Sequence, residues 1–597
     1  MSIPRAAINR PVTIRRIEAH WAGLRPALTL EGLAIRDPGA KRAQGPALAF
    51  DQVEAELSWS SLWRFQLRLA RLELNAPTLL LRRDRTGRLF AAGLEVTPEP
   101  SDQDDVTDWL LAQDRVIVRD AMIIWQDELR DAPALELKRL NFQLDNSGSR
   151  HRFGLTAEPP RQLAARIDVR GDFTGRDLDQ IEVWKGEIYA ELDYADLAVW
   201  RAWVDYPVAL PQGSGALRLW LGFAHKQLIS TTADVRLADV RLQLRPDLPE
   251  LDLIQLEGRL AGRRREGGFE AELKRLSLSS REGFMLQPTD LKLVWQDAAA
   301  NRQAQGTASA NGLDLDVLAR LAAHLPLDDA IRARLARHAP RGRVFDLKLD
   351  WKGAVDNPAA LATWGVKGRF EGLGMTALGP IPGISGINGL VEGSEKGGSL
   401  TLDGQRAALE LPSVFADPKM ELDAFAADLA WKQAGDGLRV NLRKAAFHNK
   451  DAAGEASGAW HALAEGPGEV DLAARLTRGS GDAVWRYMPL AVGKNVRDWL
   501  RGAIIGGKAS DATLKLRGDL RHFPFRGGKD GIFEVRGKFR DATLRYAASW
   551  PEINGIEGEL LFEGARMLIT GKARRSSASA CGRSAPKSPT WTIRKNC

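Results

Sequence analysis

Phe533-Glu534-Val535-Arg536-Gly537-Lys538-Phe539, closed by Trp550-Pro551-Glu552-Ile553-Asn554-Gly555-Ile556-Glu557-Gly558, is the stretch on which the reading of this chain turns. Its first part alternates apolar and charged residues, the period-two pattern of a strand with one apolar face. Its landmarks also occur 169 residues upstream, without gaps: Val366, Gly368, Phe370, Pro382, Ile384, Gly386, Ile387 and Gly389 match Val535, Gly537, Phe539, Pro551, Ile553, Gly555, Ile556 and Gly558. That is eight identities across the 24 positions 366–389, and Lys367/Arg536 and Arg369/Lys538 agree in charge. A looser third copy has Val235-Arg236-Leu237, then Pro249-Glu250-Leu251, then Leu256-Glu257-Gly258-Arg259-Leu260. An internal repeat of this size implies modules that each bury a face against the next.

Working outward, a helical segment precedes the stretch and is itself repeated. Met488-Pro489-Leu490, Val496-Arg497 and Leu500 resemble Leu325-Pro326-Leu327, Ile331-Arg332 and Leu335. Short helices are expected near 196–206, 313–338 and 481–503. Almost everything else alternates like a half-buried strand. The apolar sets expected to line one sheet face are Leu67 and Leu69; Leu135, Leu137 and Phe142; Leu217, Leu219 and Leu221; Val240 and Leu242; Phe345, Leu347 and Leu349; and Leu514 and Leu516. The expected fold class is mainly β: an elongated, repetitive antiparallel sheet forming an open apolar groove, with short helical insertions. The chain reads as an N-terminal β repeat (1–96), a Pro- and Asp-rich linker (97–108) and three β modules with helices (109–230, 231–364, 365–573). The remaining tail (574–597) lacks any strand or helix period, is expected to be disordered, and reads as a frameshifted or truncated end.

Composition removes several functional classes. Charged residues at 27% and hydrophobic ones at 44% suit a folded protein. The chain carries 84 basic and 77 acidic residues, but seven of the basic ones lie in 571–597, where no Asp or Glu occurs. The body is therefore balanced at 77 of each and has no bulk attraction for phosphate backbones, so nucleic acid is not an expected partner. Both cysteines, Cys581 and Cys597, are in the tail, leaving no disulfide framework or Cys-based metal site in the body. Such a body suits an oxidising compartment. Met1–Pro11 lacks the apolar core of a signal peptide, and the 20-residue uncharged run Gly372–Val391 holds six Gly and two Pro, which suits turns rather than a membrane helix.

Chemistry-bearing motifs fail one by one. Gly502-Ala503-Ile504-Ile505-Gly506-Gly507-Lys508-Ala509 approaches a phosphate-binding loop, but Ala509 stands where a hydroxyl should hold magnesium. A helix precedes it and a strand follows, so Gly506-Gly507 reads as a helix-ending pair. The eight histidines are scattered, His522 reads as a turn residue, and Trp59, Trp125, Trp351, Trp431 and Trp460 sit at strand positions where packing is the default. No catalytic set, cofactor or metal is expected.

Tyr487-Met488-Pro489, Val496-Arg497-Asp498-Trp499-Leu500, Phe523-Pro524-Phe525, Gly531-Ile532-Phe533 and Tyr546 through Trp550-Pro551 resemble the YhdP branch of the AsmA-like bacterial envelope proteins. Near the start, Ile17-Glu18-Ala19-His20-Trp21, Pro26-Ala27-Leu28-Thr29-Leu30, Leu79–Arg83 and Gly87–Gly93 resemble that family's N-terminal repeat. The resemblance implies a periplasmic β-structure anchored in the inner membrane, carrying phospholipid between the inner and outer membranes and supporting the outer-membrane barrier. It implies phospholipids, the inner membrane and other envelope proteins as partners. The anchor is not visible in this sequence. The alternative expectation is a non-enzymatic scaffold or assembly factor of the envelope, in which the apolar face is a closed core.

Overall fold

A computed structural model describes residues 12–35, 48–61, 66–91, 94–96, 109–176, 182–300, 302–353, 363–379, 381–435, 437–490, 492–547, 552–573 and 590–596. The expected linker, Trp550-Pro551, both cysteines and most of the tail lie outside these residues. The chain forms two compact units, Met1–Gln296 with His324–Pro326, and Asp297–Ala323 with Leu327–Cys597. The boundary falls inside the segment 231–364 read above as one module.

The first unit opens with the hairpin Arg16–Ala22 and Arg25–Ile35, followed by Leu48–Leu57 and Leu69–Asn75. Leu69–Asn75 and Thr78–Arg83 both run parallel to Arg115–Asp127. Between that strand and Met285–Gln296, every two consecutive strands pair antiparallel. The second unit follows the same rule from Gln305–Asp314 to Thr590–Asn596.

Helices interrupt these meanders where the sequence places them: Leu197–Trp200, Leu315–Leu321 with Asp329–His338, and the 3-10 turn Gly481–Tyr487 with Lys494–Ala503. Two begin on an aspartate that ends the preceding strand. Asp196 accepts from the Val199 amide, and Asp314 from those of Asp316 and Val317, supplying partners that a first helical turn lacks. One sequence expectation is corrected here. Gly506-Gly507 does not end a helix: the helix stops at Ala503 and both glycines lie within the strand Ile504–Asp519, where Gly507 passes close to Ala542.

The strands carry a recurring irregularity. Asp120, Arg139, Asp239, Arg275, Asp346, Arg406, Asp511 and Asp541 have left-handed backbones, with φ between 47° and 62°. At each the ladder to a neighbouring strand slips, by two residues at Arg406 and by one at the others, the mark of a β-bulge. The one-residue insertion changes parity, so Leu137 shares a face with Leu140 and Phe142, and Phe539 with Ala542 and Leu544. Three left-handed amides are satisfied from the next strand: Asp120 by Asn141 Oδ1 (3.2 Å), Arg275 by Asp290 Oδ1 (2.7 Å) and Gly372 by Asn388 Oδ1 (2.9 Å). A bulge removes a ladder partner, and these side chains replace it.

The 169-residue repeat is structural. Phe370, Leu373 and Met375 pair with Gly389, Ile387 and Ile384, while Phe539, Ala542 and Leu544 pair with Gly558, Ile556 and Ile553. Every partner is shifted by the same interval, slips included. The looser third copy does not hold this register: Val235 pairs directly with Gly258, whereas Val366 pairs with Gly393 and not Gly389. Residues Thr590–Asn596 also depart from expectation, forming a strand along Arg566–Ala573 where no strand period was read. The open backbone edge of that strand is a template any extended segment can join.

The repeated glycines supply a test. A Cβ on Gly389 would sit 2.2 Å from the Thr401 carbonyl oxygen and 2.7 Å from Phe370 Cζ, and one on Gly558 would sit 2.2 Å from the Thr570 carbonyl oxygen and 2.8 Å from Phe539 Cζ. Gly389→Val and Gly558→Val should each destabilise the second unit by about 1–3 kcal/mol, read by urea unfolding. An unchanged midpoint in either would mean that neither the neighbouring strand's carbonyl nor the ring is held against the glycine.

Candidate functional site

Cross-strand register carries one apolar face from strand to strand. In the first unit, Ile188, Ala190 and Leu192 lie opposite Leu221, Leu219 and Leu217, and Leu217 lies opposite Val235. In the second, Leu349 faces Val366, Val391 faces Leu400, Leu400 faces Leu429, and Leu472 and Ala474 face Leu516 and Leu514. The reverse face is charged and paired across strands, as in Arg218–Glu191 (2.7 Å), Arg259–Asp234 (2.5 Å) and Lys367–Glu392 (3.0 Å). The Arg259 guanidinium holds the Asp234 carboxyl below the usual carboxylate range. That contribution is complete above the ordinary Asp value of about 3.9 and fades only as pH falls through the lower folded value. The reverse face therefore keeps its ion pairs at neutral pH.

The apolar face is neither a sealed core nor an ordinary surface. Leu217, Leu219, Leu221, Leu347, Leu349, Leu514 and Leu516 are half-buried, although they point to the apolar side. Among the residues directly after the left-handed positions, Ala121, Leu140, Val240, Ala407, Ala512 and Ala542 are buried. The bulged strands thus combine a tight bend with a more open stretch. In the second unit five consecutive strands line a half-open cavity of about 470 Å³ formed by apolar side chains and Gly368, among them Leu347, Phe370, Ile387, Leu402 and Phe425. Phe370, Ile387 and Leu422, which cluster with the buried Ala407, form its buried base.

Rings lie flat along this face. Phe153, Phe370 and Phe539 cover the cross-strand glycines Gly171, Gly389 and Gly558, and Trp351 covers Gly306. A glycine leaves room for a ring to lie on the sheet instead of standing off it. Phe142, Phe153 and Phe173 continue the row at centroid separations of 6.1 and 6.2 Å.

Most of the sequence-expected residues fall on this face. Leu69, Leu135 and Val240 are buried in it, and Leu137, Phe142 and Leu242 are half-buried. Two do not belong. The bulge at Asp346 turns Phe345 to the reverse side, where Arg369 stacks over its ring at 4.4 Å. Leu67 precedes its strand and is exposed, its carbonyl accepting from Trp109 Nε1. The bulges were missed altogether, although a signal exists. Arg119-Asp120-Ala121, Ser510-Asp511-Ala512 and Arg540-Asp541-Ala542 place Asp and a small residue where the apolar period changes parity.

The helical insertion of the second unit rests on the same face. Leu500 and Ala503 are buried, and Ala503 and Trp499 pack with Ala542, Leu544, Ile556 and Phe539. Polar groups fix it in place: Tyr487 Oη accepts from Asn449 Nδ2 (3.0 Å) and donates to Asp451 Oδ2 (3.2 Å), which Arg486 also reaches (3.0 Å). Burial, first among several influences, pushes the Tyr487 phenol up, keeping it a donor. Among the described residues no group of His, Cys, Asp or Glu could hold a metal ion, and no helix is long and apolar enough to cross a membrane.

The profile of the YhdP protein family matches residues 5–576. The chain belongs to the YhdP family. It is 24% identical over 579 residues to the intermembrane phospholipid transporter YhdP of Escherichia coli (strain K12), covering 93% of this chain and 43% of that protein. The chain thus spans less than half the length of this relative of the YhdP family. No solved structure matches it.

The bulges supply a prediction. A β-branched residue in the left-handed region is strained, whereas glycine adopts it freely. Asp511→Val and Asp541→Val should lose about 1–2 kcal/mol relative to the matching glycine variants, measured by chemical denaturation. Equal stability of the two series would contradict the left-handed assignment.

Proposed function

We propose that this chain carries phospholipid along its apolar sheet face, as part of a conduit between two membranes in the cell envelope. The observation behind the proposal is the combination of continuity and incomplete burial: register passes the face from strand to strand, yet Leu217, Leu219, Leu221, Leu347, Leu349, Leu514 and Leu516 remain half-buried. Family membership supports the same reading, as does the name of the Escherichia coli relative.

The physical task suits these residues. An acyl chain leaving a bilayer loses about 0.8 kcal/mol per methylene unless another apolar surface receives it. The aliphatic side chains and flat-lying rings offer that surface, while the headgroup stays at the wet side. Neighbouring strands present similar side chains, so a lipid passing from one to the next meets little change in energy. No proton transfer, nucleophile or metal enters the process. The compartment is the periplasm, with the inner membrane, other envelope proteins and phospholipids as partners, and the outer-membrane barrier as the beneficiary.

The test separates an open path from a packed core. Leu347→Asp and Leu219→Arg place charge on the apolar face; Lys348→Glu and Arg218→Glu change charge on the reverse face. Phospholipid copurifying with each variant is measured by mass spectrometry, alongside melting temperature. The face variants should lose most of their lipid while melting within about 4 °C of the parent, because an open face lets the charge reach water. The reverse-face variants should keep both properties, since exposed ion pairs contribute little. Collapse of melting at both face positions, from burying an unpaired charge, would make the face a closed core and remove the transport reading.

A further inference from the structure

The apolar face is most exposed at its first hairpin. Register places Ile17 opposite Leu30, Ala19 opposite Leu28 and Trp21 opposite Pro26, and carries Leu28 and Leu30 on to Ala55 and Val53 of the next strand. The hairpin is thus the N-terminal margin of the face described above. Val53 is only 8% exposed, whereas Ile17 is 59%, Trp21 67% and Leu24, at the turn, 84% exposed. Among the described residues Leu24 and Trp21 are the most exposed large apolar side chains. The polarity is inverted relative to a water-facing sheet, since Ala27 and Thr29 on the opposite side of the same strand are buried.

We infer that the hairpin Arg16–Ala22 and Arg25–Ile35 docks into the interfacial region of a phospholipid bilayer and brings the margin of the apolar face to the membrane. The occupant is chosen by chemistry and by continuity with the face, an assignment that rests on the transport reading. Gly23, with φ of 64°, makes a tight turn that projects Leu24. Leu24 suits the acyl boundary, Trp21 the headgroup level where indole rings collect, and exposed Arg25 the lipid phosphates. A soluble protein partner would need a matching apolar surface; a bilayer needs only these three side-chain types at one tip.

The experiment uses the full chain in flotation with vesicles of phosphatidylethanolamine and phosphatidylglycerol. The parent should float, and the double variant Trp21→Ser with Leu24→Ser should bind at least about tenfold more weakly. Leu228→Ser, which removes an exposed leucine from a different hairpin, should leave binding unchanged. Both substituted residues are exposed, so melting temperature should match the parent. Failure of the parent to float, or equal flotation of the double variant, would overturn the inference. So would a parent dimer that the double variant breaks, because a second copy would then be the occupant. Copurified lipid is read separately: its absence from the parent would defeat the transport reading, whereas lipid present without flotation defeats only the docking of the hairpin.

Discussion

The structure depends on parity. A strand offers two faces, and a slip of one residue exchanges them completely. The meanders hold leucine, valine and phenylalanine on one side over many strands, yet strands this long tend to twist and drift. The left-handed residues reconcile the two demands. Each single-residue insertion bends its strand and restarts the alternation on the same face, so the bend and the continuity have one cause. The aspartate and asparagine side chains that satisfy the freed amides of Asp120, Arg275 and Gly372 make those insertions affordable in hydrogen bonds.

What was legible followed from periodicity. The mainly β class, the helical insertions and the apolar sets at Leu217–Leu221 and Leu514–Leu516 came directly from alternation and counting. The repeat proved deeper than the letters, since Phe370 and Phe539 keep equivalent partners. Its third copy shared residues but not register, because Val-x-Leu and Leu-x-Gly are common wherever one face is apolar. Phe345 was misplaced for a related reason. Strict alternation runs Phe345, Leu347, Leu349, and nothing in apolar periodicity reveals that Asp346 is inserted between faces. The aspartate itself was the available signal, as one of the residues that tolerate a left-handed backbone.

The uncharged run Gly372–Val391 reads as turns in the sequence, yet Gly389 within it lies in a strand, as do Gly171 and Gly306. Here they are beds for rings, and their absence of a side chain keeps the apolar face shallow. An aromatic standing upright at each of these positions would fill the space that the proposed cargo needs. The choice of glycine opposite phenylalanine therefore couples the fold to the proposed function more directly than any charged residue does.

Pairing between sequence neighbours also has a consequence for how the chain is made. From Arg115–Asp127 onward in the first unit, and throughout the second, each strand finds its partner in the segment just before it. Contacts are therefore local along the chain, which favours fast assembly and lets order propagate from one strand to the next. A polypeptide delivered from its N-terminus can fold in step with its arrival. The exception is early: Leu72 and Leu79 must wait for Val116 and Ile123 before their parallel neighbour exists. Vectorial folding has its slowest closure there, and every later strand inherits a finished edge.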